Sequence, residues 1–194
     1  MRKSRSQNVS SWRTVQMTLN YQEDFLGIDR FFQEAVYHDQ TDLNAASSIE
    51  VEIYEHECMY PTFAEIARQS GASEVAGMFE AIAREEKEHA DLLRELYPQL
   101  EIKDSPETAE ARRLVGEIEA QMAVVSTDPR GLRRALETAL EVESIEATKT
   151  YPAFAHLARA QGKEEIAQRF DAITASEQRH MQWVQRALDR LVSA

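Results

Sequence analysis

The feature that most constrains this chain is an internal repeat. Residues 50–97 align with residues 141–188 at a constant offset of 91 positions, without a gap, and 18 of the 48 paired residues are identical. Unrelated segments of this length share far fewer identities. Two such similar segments are expected to fold alike, so each copy should deliver the same side chains to equivalent places in the structure.

Each copy carries one Glu-x-x-His pair, Glu86 with His89 and Glu177 with His180. A spacing of three residues puts both side chains on one face of a helix. A single pair of this kind is usually a solvated helix face, but here each pair interrupts an apolar stripe with helical spacing. The stripes are Val75, Phe79, Ile82, Leu93 and Leu96 in the first copy, and Ile166, Phe170, Ile173, Val184 and Leu191 in the second. A carboxylate that faces a core must be neutralised, paired or bound to a metal ion.

The helix that precedes each pair contributes further carboxylates. Glu52 and Glu55 lie on the apolar face of that helix in the first copy, and Glu143 and Glu146 recur at the same offset. Six carboxylates and two imidazoles arranged in this way match the di-iron and di-manganese carboxylate bundles. Oxygen-rich ligation with one histidine per metal suits two iron ions, with manganese as the alternative. The predicted metal ligands and catalytic residues are Glu52, Glu55, Glu86, His89, Glu143, Glu146, Glu177 and His180.

Some neighbouring acids and histidines are left out of this set because they differ between the copies. Glu85 could reach His89 by a step of four residues, but its counterpart is Ser176. His56 is replaced by Ala147, and such exchanged positions are interpreted as surface. Tyr60 and Tyr151 are equivalent; each is expected either to hydrogen-bond a ligand carboxylate across the bundle or to be an ordinary core tyrosine.

The sequence predicts an all-α fold, because alanine, glutamate, leucine and arginine abound while glycine and proline are sparse. Two hairpins of long helices, one ending its first helix at Gly71 and the other at Gly162, should form an antiparallel four-helix bundle. Short extra helices are expected at 24–36 and 106–125, with a crossover link at 99–105. Pro61 and Pro152 should interrupt the first helix of each hairpin. A helical solenoid is the alternative architecture.

Composition limits the class of protein and its partners. The net charge of −12 argues against nucleic acid and anionic membranes as partners, and no apolar run is long enough to span a bilayer. Cys58 is the only cysteine, which indicates a soluble protein of a reducing compartment. Residues 1–20 carry basic and hydroxyl residues but no acid. They are expected to be either a flexible tail of a cytoplasmic protein or a transit segment that directs the protein to a plastid stroma. Residues 21–194 are expected to form one domain.

Residues 52–64, EIYEHECMYPTFA, resemble the third core helix of rubrerythrins, and residues 74–93 resemble the helix that follows it. The resemblance covers about residues 25–190 and implies a ferritin-like four-helix bundle that holds two iron ions. Ordinary rubrerythrins have the extra carboxylate in one half only, whereas this chain has it in both, as Glu55 and Glu146. The resemblance implies a non-haem di-iron peroxidase or oxidase that reduces hydrogen peroxide or dioxygen, acts in oxidative stress and forms a homodimer.

Several functional questions stay open at this level. No rubredoxin-like electron-entry segment is present in the sequence, so the electron donor is unknown. Iron binding or storage with ferroxidase-like chemistry is the alternative function, and a scaffold bundle with a polar network is a third. A strongly oxidising site could also modify its own neighbours, with Val51, Val142, Phe31 and Phe32 as candidates, although core packing is the simpler interpretation.

Overall fold

The structure, a computed structural model, describes residues 41–96 and 131–193, and no strand occurs in these two ranges. Both ranges are helical from end to end apart from one tight turn in each. The α-helices are α1 (Thr41–Tyr54), α2 (Tyr60–Gln69), α3 (Ser73–Leu96), α4 (Gly131–Ile145), α5 (Tyr151–Ala160) and α6 (Glu164–Ser193). The all-α prediction is confirmed.

Two π-helical segments join the shorter helices into long continuous runs. The first π segment, Glu55–Met59, connects α1 to α2, and the second π segment, Glu146–Thr150, connects α4 to α5. The backbone stays right-handed helical through both junctions, and the amide of Tyr60 bonds the carbonyl of Glu55 five residues back. Each α-helix that follows has its proline in the first turn, where a missing N–H costs little. The predicted interruption at the prolines is therefore a widened turn just before them.

Each long run ends in the same glycine turn. Gly71 and Gly162 have φ of 76° and 73°, a conformation that glycine adopts without steric cost. The amide of Gly71 bonds Arg68 O at 3.0 Å and the amide of Ala72 bonds Ala67 O at 2.9 Å, which is the Schellman pattern. The equivalent bonds after α5 are 2.9 and 2.8 Å long. Both predicted helix ends are confirmed, and each turn folds the next helix back as an antiparallel neighbour.

The core repeats along with the sequence. Tyr60, Phe63 and Phe79 form one cluster of three rings, with centroids 5.4 to 6.0 Å apart. The second cluster, Tyr151, Phe154 and Phe170, has centroids 5.4 to 6.3 Å apart. Helix α3 packs on α1 and α2, and α6 packs on α4 and α5. The two hairpins contact each other through α3 with α6, α2 with α4, and α1 with α5. The predicted four-helix bundle built from two equivalent hairpins is confirmed.

Some sequence predictions differ from the structure or lie outside the residues it describes. Leu191, expected on the core stripe, is 38 % exposed because it lines an open cavity near the end of α6, together with Ala72 and Val75. The predicted helices at 24–36 and 106–125, the link at 99–105, Phe31, Phe32 and the segment 1–20 lie outside the described residues. None of the helices in the described ranges is long and apolar enough to cross a membrane.

Candidate metal centre

The eight predicted ligands all lie in the interior of the bundle. None of the six carboxylate residues is more than 2 % exposed, and His89 and His180 are 6 % and 0 % exposed. They come from the two long runs and from α3 and α6. The fold thus buries six acids together, although isolated buried carboxylates are strongly unfavourable.

Six of the eight form two overlapping groups, each compact enough for one cation. One ligand atom from each member of a group lies within 4.8 Å of the others. The first group is Glu52, Glu86, His89 and Glu177, and the second is Glu86, Glu143, Glu177 and His180. Because Glu86 and Glu177 belong to both groups, they lie between the two candidate cation positions.

Both histidines direct Nδ1 toward the carboxylates. Nδ1 of His89 lies 2.8 Å from Glu86, 2.9 Å from Glu177 and 3.3 Å from Glu52. Nδ1 of His180 has the equivalent neighbours, with Glu177 at 2.9 Å, Glu86 at 3.2 Å and Glu143 at 3.5 Å. One ring nitrogen carries at most one proton, so it cannot satisfy three carboxylates at once.

Glu55 and Glu146 are buried beside these groups but belong to neither of them. Each is the first residue of a π segment, and such segments are frequent at functional sites. Burial, and then the charges of Glu86 and Glu52, raise the pKa of Glu55 well above its ordinary value. Burial and the charge of Glu55 do the same to the pKa of Glu146. The structure therefore brings all eight predicted residues together, with these two as an outer pair.

The two equivalent tyrosines orient carboxylates of the opposite hairpin. The hydroxyl of Tyr60 donates a hydrogen bond to Glu143 Oε1, and the hydroxyl of Tyr151 donates to Glu52 Oε1. Both rings are at most 1 % exposed. Of the two alternatives left open for these tyrosines, the cross-bundle hydrogen bond is confirmed. Each bond leaves the second oxygen of the carboxylate directed to the cluster.

Four of the acids, Glu52, Glu55, Glu143 and Glu146, have a raised pKa and so resist ionisation in the metal-free protein. Burial raises the pKa of Glu52 to about 8, against the charge and hydrogen bond of His89, which lower it. Burial likewise raises the pKa of Glu143 well above its usual range. Burial also acts to raise the pKa of Glu177, but the charge of His89 and the hydrogen bond from His180 hold this pKa at about 2. Burial acts to lower the pKa of His89 and of His180, but the neighbouring carboxylates raise both above the ordinary value. The cluster is thus an array of competing acids around two imidazoles that favour the protonated form.

Many carboxylate oxygens in the cluster accept no hydrogen bond of good geometry from the described residues, although a histidine Nδ1 lies near those of Glu86 and Glu177. They are Glu55 Oε2, both oxygens of Glu86, Glu143 Oε2, both oxygens of Glu146, and Glu177 Oε1. Buried polar atoms are normally satisfied, and an unsatisfied group indicates an ion or another partner. Carboxylate oxygens and imidazole nitrogens are ligands of iron and manganese. The donor set therefore fits two such cations.

One functional contact was missed by the sequence reasoning. Nε2 of His180, the ring nitrogen that faces away from the cluster, lies 3.1 Å from Glu85 Oε2. The same oxygen accepts hydrogen bonds of 3.0 Å from Ser176 and from Arg179. Burial raises the pKa of Glu85, but these bonds from Ser176 and His180 bring it below its ordinary value. Glu85 was left out because the repeat does not preserve it, and a comparison of the two copies cannot find residues that act in only one half.

A second exchanged position is also not surface. His56 is half-buried, and its Nδ1 lies 2.6 Å from the carbonyl oxygen of Ala83. Its counterpart Ala147 is 2 % exposed. The interpretation of exchanged positions as surface is wrong here, because the first π segment packs on α3 and a small residue fills the equivalent place.

Comparisons with known proteins agree with this geometry. The model of the rubrerythrin family matches residues 26–97 and, in a second match, residues 43–188. Symerythrin from Cyanophora paradoxa is 65 % identical over 177 residues, which are 91 % of this chain and 98 % of the relative. The crystal structure of that symerythrin, reduced with dithionite, superposes with a TM-score of 0.73 and covers 90 % of this chain and 98 % of its own.

Proposed function

The chain belongs to the rubrerythrin family, and from this membership we propose that it is a non-haem di-iron oxidoreductase that reduces hydrogen peroxide or dioxygen. The observation that carries the proposal is the buried set of six carboxylates and two imidazoles, arranged as two groups that share Glu86 and Glu177. Family membership and this cluster together support a di-iron protein. The reduction of symerythrin crystals with dithionite supports a redox role.

The residues that would hold the two ions follow from the two groups. Glu52 and His89 would hold one ion, Glu143 and His180 the other, and Glu86 and Glu177 both. Glu55 and Glu146, which interact electrostatically with the same carboxylates, would be the candidates for a further carboxylate ligand. Two bound iron ions would supply the two electrons that reduce peroxide to water, together with positive charge that stabilises the oxygen products; manganese is the alternative metal.

The protein side chains prepare the site before any reaction. Tyr60 and Tyr151 hold Glu143 and Glu52 by hydrogen bonds, so these carboxylates are oriented without waiting for a ligand. The ring clusters next to the tyrosines are fully buried and exclude water. Reduction of peroxide consumes protons, and a buried carboxylate that is not engaged by an ion, such as Glu55 or Glu146, would be placed to hold a proton at a carboxylate oxygen.

The test is stopped-flow mixing of the anaerobic, ferrous-loaded chain with hydrogen peroxide and, separately, with dioxygen. We expect oxidation of the iron by at least one oxidant, with one peroxide consumed for every two ferrous ions. His180→Ala should abolish the fast phase because it removes one of two imidazole ligands. Glu88→Gln, a change at an exposed position of α3, should not. A loaded protein that reacts with neither oxidant would contradict the proposal.

A further inference from the structure

The two halves of the metal centre differ on the outer side of the histidines. Nε2 of His180 has Glu85 as its partner at 3.1 Å. At the repeat offset of 91 residues, His180 corresponds to His89 and Glu85 corresponds to Ser176. The position opposite His89 therefore carries a serine. The hydroxyl of Ser176 instead donates a hydrogen bond of 3.0 Å to Glu85 Oε2. A carboxylate therefore supports one histidine of the otherwise symmetric pair.

The position of Glu85 is held by more than one contact. Arg179 donates to Glu85 Oε2 at 3.0 Å and to the hydroxyl of Ser176 at 2.9 Å. The side chain of Glu85 is 27 % exposed, whereas that of His180 is fully buried. Helix α3 thus supplies the carboxylate and α6 supplies the histidine, the serine and the arginine that hold it. This arrangement is built across the two hairpins.

A carboxylate that accepts a hydrogen bond from an imidazole has two effects on a metal held by the other ring nitrogen. It fixes the orientation and tautomer of the ring, and it makes the imidazole a more basic ligand. A more basic ligand favours the more positive oxidation state of the metal. The effect should act through His180, since among residues 41–96 and 131–193 no carboxylate is placed at His89 as Glu85 is placed at His180.

We infer that Glu85 is a positioning residue that makes the two iron positions of the proposed di-iron centre unequal. The inference rests on the proposed function only for the binding of two irons. The iron held by His180 should have the lower reduction potential. When the diferric protein is reduced, the first electron should therefore go to the iron held by His89, and the second to the iron held by His180. Dithionite is the reductant in the test, and each step adds one electron to one ferric ion.

The experiment is a stepwise dithionite titration of the iron-loaded protein, with the half-reduced form quantified by electron paramagnetic resonance. The comproportionation constant measures how far apart the two potentials lie. We expect Glu85→Ser to lower this constant at least tenfold, equivalent to about 59 mV for a one-electron couple. Glu85→Gln should act in the same direction because it removes the charge. Glu88→Ser removes an exposed glutamate from the same helix and should leave the constant unchanged.

The internal repeat provides a decisive variant. The double exchange Glu85→Ser with Ser176→Glu moves the carboxylate to the position opposite His89 while keeping the net charge. The constant should return to within a fewfold of wild type, because one histidine is again supported and the other is not. A purely structural role of Glu85 would not be rescued in this way. Iron content and thermal unfolding identify any variant that fails to assemble.

The outcomes separate this inference from the proposed function. A Glu85→Ser protein that holds two irons and keeps the wild-type constant would overturn the role of Glu85, as would a double exchange that stays at the single-variant value. A wild-type protein that shows both potentials but reacts with neither oxidant would overturn only the proposed function. A wild-type protein that binds no iron pair would overturn both.

Discussion

At the scale of single residues, burying the carboxylates of this centre costs desolvation free energy. Glu143 and Glu52 are both removed from solvent, and each accepts one hydrogen bond from a tyrosine hydroxyl. A buried acceptor that loses such a bond keeps its desolvation penalty, since no water replaces the donor. The tyrosines therefore stabilise the fold as well as orient the carboxylates, and the two contributions can be measured separately.

Removing one of these hydroxyls should destabilise the metal-free protein. Tyr60→Phe keeps the ring that packs on Phe63 and Phe79 but leaves Glu143 Oε1 without its donor, so we expect a loss of about 1–3 kcal/mol in the free energy of unfolding. Urea unfolding measures it. Tyr151→Phe should cost a similar amount. Ser193→Ala, which removes an exposed side-chain hydrogen bond, should change stability by less than about 0.5 kcal/mol.

A Tyr60→Phe protein as stable as wild type would mean that the hydrogen bond to Glu143 contributes nothing. A loss at Tyr60 but none at Tyr151 would contradict the equivalence of the two halves. Neither result is expected, because the two bonds join the same atoms at positions related by the repeat.

Residues that both copies share were the ones the sequence could predict. Glu86 and His89 interrupt an apolar stripe and recur in the second copy, so spacing and repetition identify them together. Glu85 lies next to Glu86, yet it differs between the copies and its partner His180 is 95 positions away. Only the packing of α3 against α6 reveals that contact. A comparison of repeats finds the symmetric part of a site and overlooks the asymmetric part.

At the scale of elements, the π segments and glycine turns determine where the side chains point. Helical periodicity predicted a helix from about Thr41 to Ser70 that ends at Gly71, and α1, the first π segment and α2 together cover this range. It could not predict the widened turns at Glu55 and Glu146, because one extra residue in a turn shifts the apolar face by an amount that a short pattern does not resolve. The prolines indicated the place but not the form of the interruption.

Glycine substitutions test the turns separately from the rest of the helices. A Cβ at Gly71 would meet no atom within 4 Å, so Gly71→Ala is affected only by its φ of 76° and should lose about 1–2 kcal/mol. Gly77 lies within α3, also with nothing within 4 Å, and Gly77→Ala should gain about 0.5–1 kcal/mol from helix propensity. Urea unfolding of the two variants should give opposite signs. A stabilised Gly71→Ala protein would contradict the left-handed turn.

At the scale of the whole molecule, the stability of the metal-free protein should depend on pH. Burial raises the pKa of Glu52 from 4.5 to about 8 and also raises those of Glu55, Glu143 and Glu146. A raised pKa means that the folded chain binds the proton more tightly than the unfolded chain. The stability contributed by these groups is complete below about pH 4.5 and is lost as the pH rises toward 8 and beyond. Glu177, with a pKa of about 2, contributes a constant amount above pH 5.

We therefore expect the free energy of unfolding of the metal-free protein to fall between pH 5 and pH 8. Urea unfolding at pH 5 and at pH 8 measures this difference in the free energy of unfolding. Metal binding requires deprotonated ligands, so loading with iron should weaken or reverse this trend. A metal-free protein that becomes more stable as the pH rises through this window would show that the carboxylates ionise easily, and the proposed competition among buried acids would then be wrong.

The central claim is that two cations, and not a polar network alone, account for eight ionisable side chains inside one bundle. The most direct test is an anaerobic titration of the metal-free protein with ferrous iron, with bound iron quantified after removal of the free ion. Because the site contains two ligand groups, each compact enough for one cation, we expect saturation at two ions per chain. Saturation at one ion, or no binding, would contradict it.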